Sequence, residues 1–198
     1  MSTGRENSQL MQRAARIAAA AVVFLACALG FSAVLHWQLP IPGQSLEVHS
    51  VSFADGGAIP RRFTCDGAGV SPGLQWSAVP EKTKSIAIVM DDPDAPVDFT
   101  HWLVYNIPAD ARSLTENARG QSAMPMGTLE GANSYGRSGY AGPCPPAGQL
   151  HHYYFRLYAL DIRLHLPQGA NRKEVDAALV HHVVAQAQTI GVYQRSGR

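Results

Sequence analysis

Apolar and polar positions follow several different rhythms along this chain, and each rhythm predicts a different kind of element. Ile17 to Leu35 is a run of 19 residues without a charge. As a helix it would extend roughly 28 Å, close to the hydrocarbon thickness of a bilayer. Beyond it the period shortens. Val48 to Phe53 alternates apolar and polar residues, as a half-buried strand does. Leu74-Gln75-Trp76 repeats the alternation in miniature before Pro80 ends it. Ser85 to Met90 is a compact apolar strand, stopped by an acidic turn that contains proline. Phe99 to Ile107 is rich in aromatic and β-branched residues and ends at Pro108. His152 to Leu160 carries the strongest strand signal, with Tyr, Phe and Leu in period two.

Between residues 110 and 150 periodicity disappears, and Gly, Ser, Asn and Pro dominate. A loop of that length inside a compact domain points to function. Asn171 to Gln188 then reads as a helix. Asn171 caps it, Glu174 takes the capping-box position, and Val175, Leu179 and Val183 form a stripe at i, i+4 and i+8. Gly191 stops this helix, and Val192-Tyr193 adds a last short strand. The order predicts a mainly β fold of two packed sheets with a C-terminal helix.

Four segments follow from this reading. Residues 1–16 form a cytoplasmic N-terminus, 17–36 a transmembrane or signal-anchor helix, 37–45 a linker marked by Pro40, Pro42 and Gly43, and 46–198 the domain. Arg5, Arg13 and Arg16 precede the apolar run, and no Lys or Arg follows it until Arg61. That asymmetry places the N-terminus in the cytoplasm and the domain outside it. A retained anchor, cleavage near Ala28-Leu29-Gly30 and lipidation at Cys27 all remain open, and each exports the domain. The expected location is a membrane, single-pass with the domain extracytoplasmic, or secretion if the helix is cleaved.

Composition narrows the classes. Hydrophobic residues make up 46% and charged residues 16% of the chain, which supports a packed core and excludes global disorder. A net charge of +1 leaves no concentrated basic face for nucleic acid.

Polar clusters flank the strong strands: Asp91-Asp92-Pro93-Asp94-Ala95-Pro96, His101-Trp102, and Tyr140 to Pro146 followed by His151-His152-Tyr153. Carboxylates and histidines at strand ends can converge on one pocket, and imidazoliums held beside carboxylates would attract an anion. Taken alone, the aspartates equally suit a turn, and His101 a hydrogen-bonded strand histidine. His151 and His152 face opposite ways in a strand, so at most one reaches a pocket. His181 and His182 read as structural or surface residues. The histidines and aspartates lack zinc-site spacing, no cofactor motif is present, and Cys144, between prolines, has no evident orienting partner as a nucleophile.

Read together, DDPDAP, HWLVYNIP, GRSGYAGPCPP and HHYYFRLYALD, with FTCDGAGVSPGLQW upstream and GVYQR near the end, resemble the bacterial branch of the phosphatidylethanolamine-binding, or Raf-kinase-inhibitor-like, family. The resemblance covers about residues 46–195 and, being to the bacterial branch, implies that the membrane is a bacterial inner membrane. It implies a large antiparallel sheet on a smaller one and a small solvent-open pocket for phosphate, acetate or a phospholipid headgroup. Carried over residue by residue, the pocket takes Asp92 and Asp94, His101, Gly142, Pro145 and Pro146, and His151 and Tyr153, with His101 and His151 donating to the anion. Where family members often read GRNDFGRxGYGGPCPP, this chain reads GANSYGRSGYAGPCPP, so Ser134 stands in place of an acidic residue on the pocket rim. An oxidising compartment permits a Cys65–Cys144 bridge if the two Cα atoms lie within about 7 Å, whereas likeness to cytoplasmic members at both positions favours free thiols. The expected role is a non-enzymatic, membrane-tethered binding protein, with an envelope-enzyme inhibitor acting on a protein partner as the alternative and a hydrolase as a third class.

Overall fold

The strongest period-two segments of the sequence form the middle of a six-stranded sheet. Its order is β2 (Gly57–Ala58), β9 (Val183–Gln194), β8 (Leu150–Leu160), β4 (Ser85–Asp92), β5 (Phe99–Pro108) and β7 (Leu129–Glu130). A second sheet has the order β1 (Val48–Ser50), β3 (Leu74–Trp76) and β6 (Ser113–Leu114). All pairs are antiparallel except β2–β9, which is parallel. The computed structural model of the chain describes residues 45–119 and 123–196. The apolar run 17–35 lies outside these. Among the described residues, no helix is long and apolar enough to cross a membrane.

The sheets bury a common core. Val48, Trp76 and Leu114 from the smaller sheet join Ile88, Met90, Trp102 and Phe155 from the larger one. On the opposite face of the large sheet, Val175 and Leu179 of a short α-helix, α1 (Arg172–Leu179), pack with Ala87, Val89, Leu103 and Tyr105. Strand β4 is thus covered on both faces, which is why it reads as a nearly unbroken apolar run and not as an alternation.

The C-terminal region differs from its sequence pattern. The capping box forms as expected, with the Asn171 side chain accepting from the Glu174 N–H and the Glu174 carboxylate accepting from the Asn171 N–H. The helix, however, ends at Leu179 and does not continue to Gln188. Val180 leaves helical geometry and His181 takes φ 67°, a left-handed conformation that turns the chain. The next twelve residues pair with β8 along its whole length. Val183-Val184-Ala185-Gln186-Ala187-Gln188 satisfies both periods, and the long unpaired flank of β8 decides between them.

The thiols also differ from expectation. Cys65 and Cys144 form a disulfide with a Cα–Cα distance of 5.4 Å, closing a sequence separation of 79 residues.

Candidate functional site

One irregularity in the sheet builds the site. Met90 pairs with Trp102 and Asp91 with Thr100, so His101 is an extra residue on β5 opposite no partner on β4. Strict alternation would turn His101 away from Trp102. A bulge re-aims it. The His101 ring consequently meets Tyr153 of β8 edge-on, with centroids 5.2 Å apart. His151, two residues before Tyr153 and on the same face of β8, stacks on it at 6.5 Å. Asp92, at the end of β4, completes the group through a 2.8 Å bond from His151 Nδ1–H to its Oδ2. His101, His151 and Asp92 are 3%, 5% and 4% exposed, and Tyr153 is fully buried.

The polar atoms can be accounted for one by one. Asp92 Oδ1 accepts the Asp94 backbone N–H at 3.0 Å, the usual local bond of an Asx turn. His101 Nδ1–H donates to the Ala141 carbonyl at 2.8 Å, and the Ala141 N–H returns a 2.9 Å bond to the His101 carbonyl. Each histidine has therefore committed Nδ1 to a protein acceptor. Among the described residues neither Nε2 has a partner, and neither is sealed from solvent. The Tyr153 hydroxyl is buried and, among the described residues, meets no partner in hydrogen-bond geometry, although the Asp92 carboxylate lies near enough to act on it. Burial, followed by the nearby Asp92 carboxylate, pushes its pKa up and keeps it protonated as a donor. Burial also pushes the His101 pKa down, against the Ala141 bond and Asp92, which act the other way. Of the two imidazoles, one is oriented by an aspartate: His151 has the Asp92 carboxylate as partner, whereas His101 has a backbone carbonyl.

The other expected site residues occupy different places. Asp94 turns outward, its Oδ2 accepting both the backbone N–H and Nδ1–H of His152 at 2.7 Å. Those two bonds come first among the causes that hold its carboxyl below the usual range. His152 accordingly lies on the far side of β8 from His151. Gly142 is half-buried where a Cβ would come within 2.9 Å of the Phe63 carbonyl oxygen, so this approach requires glycine. Pro145 is buried and Pro146 exposed in the same segment. Ser134, on the rim, exchanges two bonds with Thr100: its hydroxyl accepts the Thr100 N–H at 2.8 Å, and its own N–H donates to the Thr100 carbonyl at 2.9 Å.

Two contributors escaped the sequence reading. Ala141 acts through its carbonyl, which no side-chain pattern reveals. Phe99 lies 4.7 Å from His101 and is itself met edge-on by the exposed Tyr135 at 5.1 Å, forming an aromatic flank. The alternation of β5 was a usable signal for Phe99; nothing local marks Tyr135. Asp92, Phe99, Thr100 and Ser134 also border a cavity of about 440 Å³ that runs to Arg172 and Lys173. The larger cavities, of about 710 and 500 Å³, are lined by other residues. Among the described residues no group of three or more His, Cys, Asp or Glu side chains is placed to hold a metal ion.

A two-sheet β domain whose donors converge at the ends of central strands belongs to the class of ligand-binding modules. The chain itself belongs to the phosphatidylethanolamine-binding protein family, whose model matches residues 49–194. A UPF0098 protein of Methanothermobacter thermautotrophicus is 47% identical over 152 residues, covering 76% of this chain and 99% of that protein. Another, from Aquifex aeolicus, is 47% identical over 156 residues, covering 77% and 91%. The crystal structure of Escherichia coli YbcL, described as a member of the mammalian family, matches with a TM-score of 0.72 and 34% identity over 76% of this chain and 98% of that one. The homologue CT736 of Chlamydia trachomatis matches with a TM-score of 0.71 and 33% identity over 78% of this chain and all of that one. The described domain thus corresponds to an entire chain in these relatives.

Proposed function

We propose that the domain binds a small anionic group, such as phosphate, acetate or a phospholipid headgroup, without transforming it. The observation that carries this reading is the Tyr153 hydroxyl, buried with no acceptor in hydrogen-bond geometry among the described residues, between two histidines whose Nε2 atoms are also uncommitted. A buried donor lacking a partner is costly; an oxyanion would satisfy it, and would also accept from Nε2 of each imidazole once that ring takes up a second proton. Absence of catalysis is supported by Cys144: the nearest thiol candidate is held in a disulfide. That bond also favours an oxidising compartment and hence the extracytoplasmic, membrane-tethered placement expected from residues 1–36.

A second reading, contact with a protein partner at the same mouth, draws support from Val97, Tyr135 and Leu150, which are 69%, 59% and 51% exposed beside the site.

Calorimetric titration of residues 45–198 with phosphate, acetate and phosphoethanolamine tests the first reading. Saturable binding lost in both His101→Ala and His151→Ala is the expected result. Unchanged binding in both variants would move the site elsewhere, and no binding by the parent would remove the proposal.

A further inference from the structure

The disulfide and the histidine site share one piece of chain. Residues 140–144 run between them. On one side Ala141 is bonded to His101 through both its carbonyl and its N–H. On the other side the segment is fastened to residues 63–65 by three separate ties. The Tyr140 hydroxyl donates to the Phe63 carbonyl at 2.9 Å, the Cys65 N–H donates to the Pro143 carbonyl at 3.1 Å, and Cys65 is bonded to Cys144. Gly142 sits directly against Phe63 and Thr64, with no room for a side chain between the two segments. The carbonyl that fixes the His101 ring therefore belongs to a strap whose only covalent anchor, other than its own chain, is Cys65–Cys144.

Both cysteines are exposed. A thiolate must reach one sulfur to begin exchange, and exposure of the residues gives it access. We infer that the Cys65–Cys144 disulfide is a redox-sensitive latch on the anion site: oxidised, it holds Ala141 against His101; reduced, it loosens the strap and weakens binding. The step balances with an external dithiol as reductant. Its thiolate attacks one cystine sulfur to give a mixed disulfide, and its second thiol then displaces the protein sulfur. Cys65 and Cys144 end as thiols, and the reductant as a cyclic disulfide.

The consequence for His101 follows from its hydrogen bonds. The Ala141 carbonyl can only accept, so it obliges the proton to stay on Nδ1 and aims Nε2 at the opening. With the strap loosened, the ring is held less firmly in one tautomer and one orientation. Two hydrogen bonds, from Tyr140 and from the Cys65 N–H, still tie the strap in the reduced form, so the change is a local loosening and not unfolding of the sheet.

The inference rests on the anion-binding reading for its effect on affinity, but the latch itself can be read without any ligand. Residues 45–198 are compared oxidised and after reduction with dithiothreitol, at a temperature where circular dichroism shows both folded. Amide exchange at Ala141 and the ring-nitrogen spectrum of His101 are recorded first, then titration with inorganic phosphate. Expected on reduction are faster Ala141 exchange, a mixture of His101 tautomers, and phosphate affinity lower by about five- to tenfold, the lower part of the usual range for coupled sites. Tyr140→Phe, which keeps the disulfide but removes one tie, should shift both ligand-free readouts in the same direction by a smaller amount. Unchanged exchange and tautomer on reduction would overturn the latch, and so would collapse of the whole fold at every temperature tested. Altered exchange and tautomer with no phosphate binding in either state would uphold the latch while refuting the anion reading.

Discussion

Replacing Asp92 by asparagine places one acceptor where two donors require one each. In the parent, Oδ1 takes the Asp94 N–H and Oδ2 takes His151 Nδ1–H. Asparagine offers a single oxygen and an NH₂ group of the same shape. If the oxygen faces Asp94, the NH₂ opposes His151 Nδ1–H, and the imidazole must move its proton to Nε2. If the oxygen faces His151, the NH₂ opposes the Asp94 N–H, and two donors meet beside a side chain that is itself only 4% exposed. Either way a hydrogen bond to a carboxylate is replaced by a donor–donor clash, at a cost of about 2 kcal/mol. For a domain of this size that corresponds to roughly 4–8 °C in Tm. Urea denaturation of residues 45–198 measures it, and the midpoint should fall while the slope stays constant, because the exposed area does not change. Asp92→Ala, which leaves His151 with no acceptor, should cost more, about 3–5 kcal/mol if the histidine is charged. A variant Asp92→Asn within about 0.5 kcal/mol of the parent would refute the two-donor reasoning, because that is the scatter of a neutral surface change.

Further outcomes follow from the same contacts. The double variant Cys65→Ser/Cys144→Ser should lose about 4.5 kcal/mol by the chain-entropy relation for a separation of 79 residues, read by denaturant titration against the oxidised parent. Because burial lowers the His101 pKa below 6.5, its contribution to the ligand-free fold is present above 6.5 and is lost as pH falls through the lowered value. Sulfate, whose charge is constant over this range, should bind more tightly as pH falls and offset that loss; thermal melts with and without sulfate check both signs. Gly142→Ala should be destabilising, since the added Cβ meets the Phe63 carbonyl oxygen at 2.9 Å, and overpacking of this kind typically costs about 1–3 kcal/mol by thermal denaturation.

Much of the large sheet was legible because burial on one or both faces writes directly into residue order. Ser85 to Met90 and His152 to Leu160 carry that mark, and both lie in central strands. The opposed faces of His151 and His152 followed from the same alternation. The last strand was not legible, because Val183 to Gln188 suits period 3.6 as well as period two, and only pairing with β8 resolves it. His101 shows the other limit. Its type and neighbours marked it as a candidate, but alternation alone would have aimed it away from Trp102, and the bulge that turns it arises from register against β4. Ala141 was hidden for a simpler reason: its contribution is a backbone carbonyl, whose position depends on how residues 140–144 pack against Phe63 to Cys65. The disulfide needed distance as well as identity, and two cysteines 79 residues apart do not disclose theirs.

Ring-nitrogen NMR of ¹⁵N-histidine-labelled residues 45–198 during phosphate titration addresses the central claim most directly. Saturable, concurrent shifts of the Nε2 signals of His101 and His151, without equivalent shifts from chloride at matched ionic strength, are predicted. If phosphate leaves both Nε2 signals where chloride leaves them, the uncommitted Nε2 atoms around Tyr153 do not form an oxyanion site.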